Sequence, residues 1–334
     1  MSDFRRYFSY HFKSSLPRLA AVTLLCVILT VMTVNEGCDT TKPENSNCSI
    51  YILSIIVSAC ASIIPIFEFS AYNNKRNLDT VFSLPVKRRS IAGANYLNGI
   101  IHVYLTFTVC AAAAVITMLQ RIEYFSIIYI IPYYFIILGL SLIVYSLSTF
   151  LFLQANTTFD GILFIIMWIG NIYYAVTGVY YWLRHSFNIR YFDFAFEHLV
   201  LFEPIDSYTA HLQDLINKGA GRFDVGAVGY IYTVLWAAVG IICTAGVFRT
   251  FDKKRAERAG EISDSIFGYK LNIPLYMISI SLDSRSYHFC IFIFLCAIAG
   301  YFVYRRGLRL KKCDIIALLS SLTVSLVGLY ILIA

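Results

Sequence analysis

Few residues of this chain have the chemical means to act on another molecule, and they do not gather in sequence. Glu68, His102 and Asn171 lie inside or at the ends of strongly apolar runs, and nine cysteines are dispersed along the chain. There is no Cys-x-x-Cys pair, no HExxH and no tight His/Cys grouping, so no metal site and no resident cofactor are expected. The pattern GxxxxGK[S/T] is absent from all 334 residues, so no segment here is built to cradle nucleotide phosphates. An intramembrane lipid-modifying enzyme would need His, Asp and Glu clustered at one membrane face; that clustering is missing, and only dispersed residues could assemble such a site. A secondary carrier or channel is the other rival, and it calls for buried midplane charges that are scarce. Glu68 sits at a span end, where Arg18 can pair with it, and a lone intramembrane His102 or Asn171 reads first as an interhelical hydrogen-bond partner.

Only a membrane-spanning scaffold could position such residues. With 58% hydrophobic and 14% charged residues and a mean hydropathy of +0.68, the chain has too little polar surface to clothe a soluble domain. A hydrocarbon core about 30 Å thick takes roughly 20 apolar helical residues. Runs of that kind cover 16–34, 50–69, 91–119, 126–153, 161–182, 225–247, 289–304 and 315–334. The first starts late, runs long and lacks a small-residue cleavage site, so it reads as a span and not as a signal peptide. The expected fold is all-α, a polytopic helical membrane protein with about eight to nine transmembrane helices and a cytosolic N-terminus.

Orientation follows from the Lys and Arg retained on the cytosolic side. They collect in the tail (Arg5, Arg6, Lys13, Arg18), between the second and third spans, after the sixth span (Arg249, Lys253, Lys254, Arg255, Arg258, Lys270) and at Arg305, Arg306, Arg309, Lys311 and Lys312. A single crossing at 289–304 would leave one of the last two groups outside. A further marginal span near 266–282, with Lys270 snorkelling to the interface, restores the pattern; a re-entrant segment at 289–304 is the alternative. The resulting division is an interfacial amphipathic helix over 1–15, a six-span core over 16–248 with a connector at 70–90 and an outer loop at 183–224, a basic linker over 249–265, and two to three spans over 266–334. In the first of these, Phe4, Tyr7, Phe8, His11 and Phe12 share one helical face suited to the membrane interface.

The connector, Lys75 to Ile91, reads KRNLDTVFSLPVKRRSI. Leu78, Val81 and Phe82 fall at i, i+3 and i+4, which predicts a short amphipathic helix that Pro85 ends near Leu84, and Ser90 is placed to cap the next helix. A stiff element tied at both ends to spans can transmit a push, although an ordinary solvated loop has the same composition.

These residues resemble the connector of the type-2 ABC exporter permeases, which carry a basic residue, Leu-Asp, then Ser-Leu-Pro, then Arg before the third span; here they are Lys75 to Asp79, Ser83 to Val86 and Lys87 to Ile91. Lys253 to Glu261 is similar to a pattern that follows the sixth span in one bacterial branch, and Glu203-Pro204-Ile205 to the outer loop between spans five and six. The resemblance covers about Met1 to Gly260; the C-terminal spans depart from the six-span plan. It implies a multi-pass permease subunit of the bacterial plasma membrane, not itself an enzyme. It also implies a separate ATP-binding subunit that supplies ATP and Mg, a second permease, identical or paralogous, and membrane lipids as partners, with no role for nucleic acid. ATPase coupling would fall to Leu78, Asp79, Val81, Phe82 and Pro85, with Leu78 and Phe82 as apolar knobs, Asp79 as a polar contact and Pro85 as the stop. Arg88 and Arg89 would hold phosphates at the membrane surface.

Two further expectations come from the residues themselves. Asn171, Tyr173, Tyr174 and Thr177, in a fifth span that also carries Gly170 and Gly178, suit either a translocation surface between two subunits or tight dimer packing. Cys38 and Cys48 lie in the acidic first outer loop, where an oxidising exterior permits a disulfide.

Overall fold

The structure, a computed structural model, describes residues 3–37, 50–83, 85–121, 127–187, 200–218, 226–284 and 286–333. Cys38 and Cys48 lie outside these residues. Among the described residues there are eleven α-helices and no strand: α1 Asp3–Gly37, α2 Tyr51–Phe69, α3 Lys75–Phe82, α4 Arg88–Arg121, α5 Ile130–Leu153, α6 Thr158–Phe187, α7 Glu203–Lys218, α8 Gly226–Lys253, α9 Leu271–Ser284, α10 Tyr287–Arg305 and α11 Lys312–Ile333. Eight of these helices, α1, α2, α4, α5, α6, α8, α10 and α11, are long and apolar enough to cross a membrane. The chain is a multi-pass, all-α membrane protein.

It divides into two compact units. The first comprises Met1–Ala71, Asp79–Phe150 and Phe202–Lys254, and the second Tyr72–Leu78, Leu151–Leu201 and Arg255–Ala334. Each is described by itself.

In the first unit α1 runs along α4, α4 also meets α2 and α8, and α7 lies against α2. The 35 residues of α1 form one continuous helix, about 52 Å long at 1.5 Å per residue. The separate interfacial helix expected over 1–15 is therefore an extension of the first span. The stripe of Phe4, Phe8 and Phe12 is present, stacked ring on ring at 6.1 Å. Phe4 reaches the backbone of α4 at Gly93. Side chains of α1 bonded to α2 and α4, detailed below, hold this extension against the bundle. At Gly99 of α4 the Tyr145 ring of α5 occupies the space where a Cβ would stand, so a residue other than glycine would force the two spans apart. The Glu203-Pro204-Ile205 segment begins α7, which buries Ile205, Tyr208, Thr209 and Leu212. The Gln213 side-chain oxygen accepts from the Ile50 amide at 3.0 Å, capping the start of α2.

The second unit is built around α9, which packs on α6, α10 and α11. Its core joins Phe164, Tyr269, Ile273, Met277, Ala297, Tyr301, Tyr304 and Leu318. The marginal ninth span is thus a helical element of 14 residues preceded by a π-helical turn at Ile266–Lys270. Gly268 is required in that turn because a Cβ would stand 2.7 Å from the Phe164 ring. Its polar residues Lys270 and Asn272 are both satisfied. Lys270 Nζ donates to the Asp264 carbonyl at 3.0 Å and lies 3.2 Å from its carboxylate, and Asn272 is fully buried with bonds to α6 and to the Phe267 carbonyl. Between α10 and α11, Arg306 takes a left-handed conformation (φ 51°) and the Gly307 amide reaches back to the Phe302 carbonyl, a helix-ending turn. Arg305 then grips Asp314 through two bonds of 2.6 and 2.7 Å.

Candidate functional site

The connector forms the expected short helix, Lys75–Phe82, followed by a turn at Ser83; Leu84 lies outside the described residues. α4 begins at Arg88, three residues before the expected start, and the Lys87 carbonyl accepts from the Ser90 and Ile91 amides. Lys87, not Ser90, therefore stands at the head of α4.

Of the five coupling residues, Leu78 is fully buried and Val81 and Phe82 are half-buried, whereas Asp79 and Pro85 are exposed. Leu78 is a core residue of the chain itself, not an apolar knob on its surface. Within the first unit Phe82 meets Phe251 edge to face at 6.2 Å, and the Arg88 guanidinium lies over the Phe82 ring, 4.1 Å from its centre. Arg88 also donates to the Asp252 and Lys254 carbonyls at 3.4 and 3.3 Å, and Arg89 Nε donates to the Asp252 carboxylate at 2.6 Å. These two arginines hold the C-terminal end of α8, where a helix presents unpaired carbonyls and a partial negative charge. Guanidinium on a ring face and on helix-end carbonyls is a geometry that lysine reproduces poorly. Beside the clamp, Lys254 is buried, and burial pulls its ammonium down to about 7.

A second polar centre lies one helix earlier. The Glu68 side chain, with no exposed surface, takes a salt bridge from Arg18 and hydrogen bonds from Asn98 Nδ2 and His11 Nε2, each at 2.8 Å; His102 Nδ1 stands 3.6 Å away. Ser15 Oγ completes the group, 3.0 Å from His102 Nε2 and 3.2 Å from Asn98 Nδ2. A buried carboxylate persists only when paired and fully hydrogen-bonded, and here α1 and α4 both supply the partners. The Arg18–Glu68 pair and His102 as an interhelical hydrogen-bond partner were readable in sequence; the parts of His11, Ser15 and Asn98 were not. Their signal is nevertheless present, since His11, Ser15 and Arg18 fall at i, i+4 and i+7 of one helix and Asn98 and His102 at i and i+4 of another.

The fifth-span residues sit in the second unit. Asn171 is buried, donating to Asn272 Oδ1 at 2.8 Å and accepting from Ser279 Oγ at 3.3 Å. Tyr174 meets Tyr276 edge to face at 6.0 Å. Close approach is possible because Gly170 and Gly178 face Tyr276 and Leu282. The small-residue face of this span is therefore filled by α9 of the same chain, and Asn171 is a packing residue of that seam. Tyr173 remains exposed, and Thr177 bonds back to its own helix. Among the described residues no group of three or more His, Cys, Asp or Glu is placed to hold a metal ion.

A short helix follows the anchored end of α2, and the clamp beside it joins the start of α4 to the end of α8. Comparison with protein-family models, curated proteins and solved structures returned no match to this chain.

Proposed function

We propose that this chain is the membrane subunit of an ATP-driven exporter of the bacterial plasma membrane, energised by a separate ATP-binding subunit and paired with a second permease. The observation that carries the reading is the connector, with its Leu-Asp, Ser-Leu-Pro and Arg-Arg pattern, in a chain that has no phosphate-cradling loop of its own. Its placement supports the reading: α3 lies between the ends of two spans, and the clamp of Phe82, Arg88 and Phe251 stiffens the junction with α4. Nucleotide-driven closure of the partner would push on the exposed face of α3, and the span ends on either side would carry that push into the membrane.

The burial of Leu78 moves the docking residues. Asp79, with Arg76 and Thr80 on the same exposed helical face, is the contact to change, whereas Leu78→Asp would disturb the fold before it disturbed docking. The test is purification in mild detergent followed by identification of bound P-loop ATPases. The reading expects one such ATPase, lost in the Asp79→Arg variant while the thermal midpoint is kept. Absence of any P-loop partner, or undiminished binding by Asp79→Arg, would overturn it.

One observation favours a second reading. Glu68, buried and ion-paired with Arg18 beside His11 and His102, is an intramembrane ionisable cluster of the kind that ion-coupled carriers place on their pathways. Transport that follows an imposed proton gradient without ATP would select that reading.

A further inference from the structure

Among the described residues, the first unit contains a half-open cleft of about 400 Å³ between α5, α7 and α8, within the size range of small-molecule sites. It exists because small residues fall where the two spans separate. Gly240 lets α8 touch Ile143 closely, and a Cβ there would stand 3.0 Å from that side chain. Toward α7, Gly139 and Ala237 line a gap, and a Cβ at Gly139 would meet nothing within 4 Å. No charged side chain lines the cleft. Its mouth carries Phe135, Tyr230 and Ile241, 66%, 44% and 71% exposed, so in a bilayer it opens sideways to the acyl chains.

Hydroxyls mark both ends. At the α7 end the Tyr208 hydroxyl lies 3.2 Å from Thr233 Oγ1, with Tyr230 beside it at the mouth. At the far end Tyr96, Ser146 and Thr244 bond one another, with Tyr96 at 2.6 and 3.1 Å from the other two. Thr233 and Thr244 are eleven residues apart on one helix, about 16 Å at 1.5 Å per residue, close to the half-thickness of a roughly 30 Å hydrocarbon core.

We propose that this cleft binds a single acyl chain of an uncharged amphiphile, with the polar end at Tyr230 and Thr233. Length along the spans selects a chain confined to one leaflet. The uncharged lining excludes an ionised group from the interior, where desolvation would be uncompensated. The proposal rests on the membrane-spanning fold and is independent of the transport reading.

The full-length protein is reconstituted in phosphatidylcholine vesicles holding a monoacylglycerol with a diazirine at the end of its chain, irradiated, and its adducts mapped by mass spectrometry. Adducts are expected at the far end of the cleft on α5 and α8, around Ile143, Ser146 and Ile241, displaced by excess unlabelled monoacylglycerol. Gly139→Leu should lower them about tenfold, corresponding to about 1.4 kcal/mol of lost binding, without changing adducts on other spans or the thermal midpoint. Should that variant fold poorly, displacement in the wild-type protein decides the question. Adducts spread over all spans without displacement, or unchanged in a folded Gly139→Leu, would overturn the site. Equal labelling by the corresponding ionised fatty acid would overturn the uncharged specificity. Disulfide cross-links between two copies carrying Gly139→Cys and Ala237→Cys would show a second copy in the cleft and overturn the lipid occupant.

Discussion

Replacing Glu68 by Gln tests whether the buried polar centre holds α1 in the bundle. The substitution keeps the shape and removes the charge, leaving an amide NH₂ among the donors Arg18, Asn98 and His11. Breaking a buried ion pair by removing one partner costs about 3–5 kcal/mol. Arg18 keeps 34% of its side-chain surface exposed, so water recovers part of its solvation and the expected loss falls to about 2–3 kcal/mol, toward the value for removing a charged hydrogen-bond partner. The Asn98 and His11 bonds, each 2.8 Å, keep the loss from falling to the level of a surface pair, about 0–1 kcal/mol. The assay is reversible unfolding in detergent micelles for wild type, Glu68→Gln, Arg18→Gln and the double variant. A coupling energy of about 1–3 kcal/mol between the two positions is expected for residues in one network. In parallel, protease access to the first turns of α1 should increase in Glu68→Gln. Additive variants with losses below about 0.5 kcal/mol, the level of an ordinary surface change, would refute the anchoring role.

Other outcomes follow from the same geometry. Arg88→Lys should loosen the junction of α4 and α8 and lower stability by about 1 kcal/mol, since it loses the ring-face contact and both carbonyl bonds; equal thermal midpoints would count against the clamp. Asn171→Leu should destabilise the second unit by about 1–3 kcal/mol, because Asn272 is left buried without its partner; disulfide trapping between cysteines placed on α6 and α9 reports the loosening directly. Lys254 binds its proton more weakly folded than unfolded, so the unfolded chain holds more protons between pH 7 and 10.5 and stability rises with pH through that window. The wild-type protein should gain on the order of 2 kcal/mol between pH 7 and 9 relative to Lys254→Met, in which that part of the slope vanishes. Parallel pH profiles for the two would show that Lys254 titrates normally.

Much of the architecture was legible in the sequence because spanning a bilayer demands long apolar helices, and the eight runs read by length are the eight long helices observed. The connector helix was legible too, since its three apolar residues have helical spacing and a proline follows. Three other features depended on pairing between distant segments. Phe4 to Lys13 has the stripe of an interfacial helix, yet His11 and Ser15 bind residues of α2 and α4, so the segment continues the span. Asn171 and its glycines signal close packing, but the spacing carries no information on whether the partner is another subunit or α9 of the same chain. Asn272, a polar residue within 266–282, finds its side-chain partner in Asn171, which is 101 residues away in sequence and becomes its neighbour on folding. Leu78 illustrates a general limit: an amphipathic helix announces an apolar face, and the sequence alone does not say whether the chain or a partner covers it.

The proposed function makes α3 the element through which an external ATPase would drive this chain, and the most direct measurement is ATPase binding and stimulation on the purified membrane protein with Asp79 intact or changed. The account predicts that a P-loop ATPase copurifies with the wild-type chain, hydrolyses ATP faster in its presence, and loses both binding and stimulation with Asp79→Arg at unchanged thermal stability. A wild-type chain that binds no such ATPase, or an Asp79→Arg chain that binds and stimulates it equally, would contradict it.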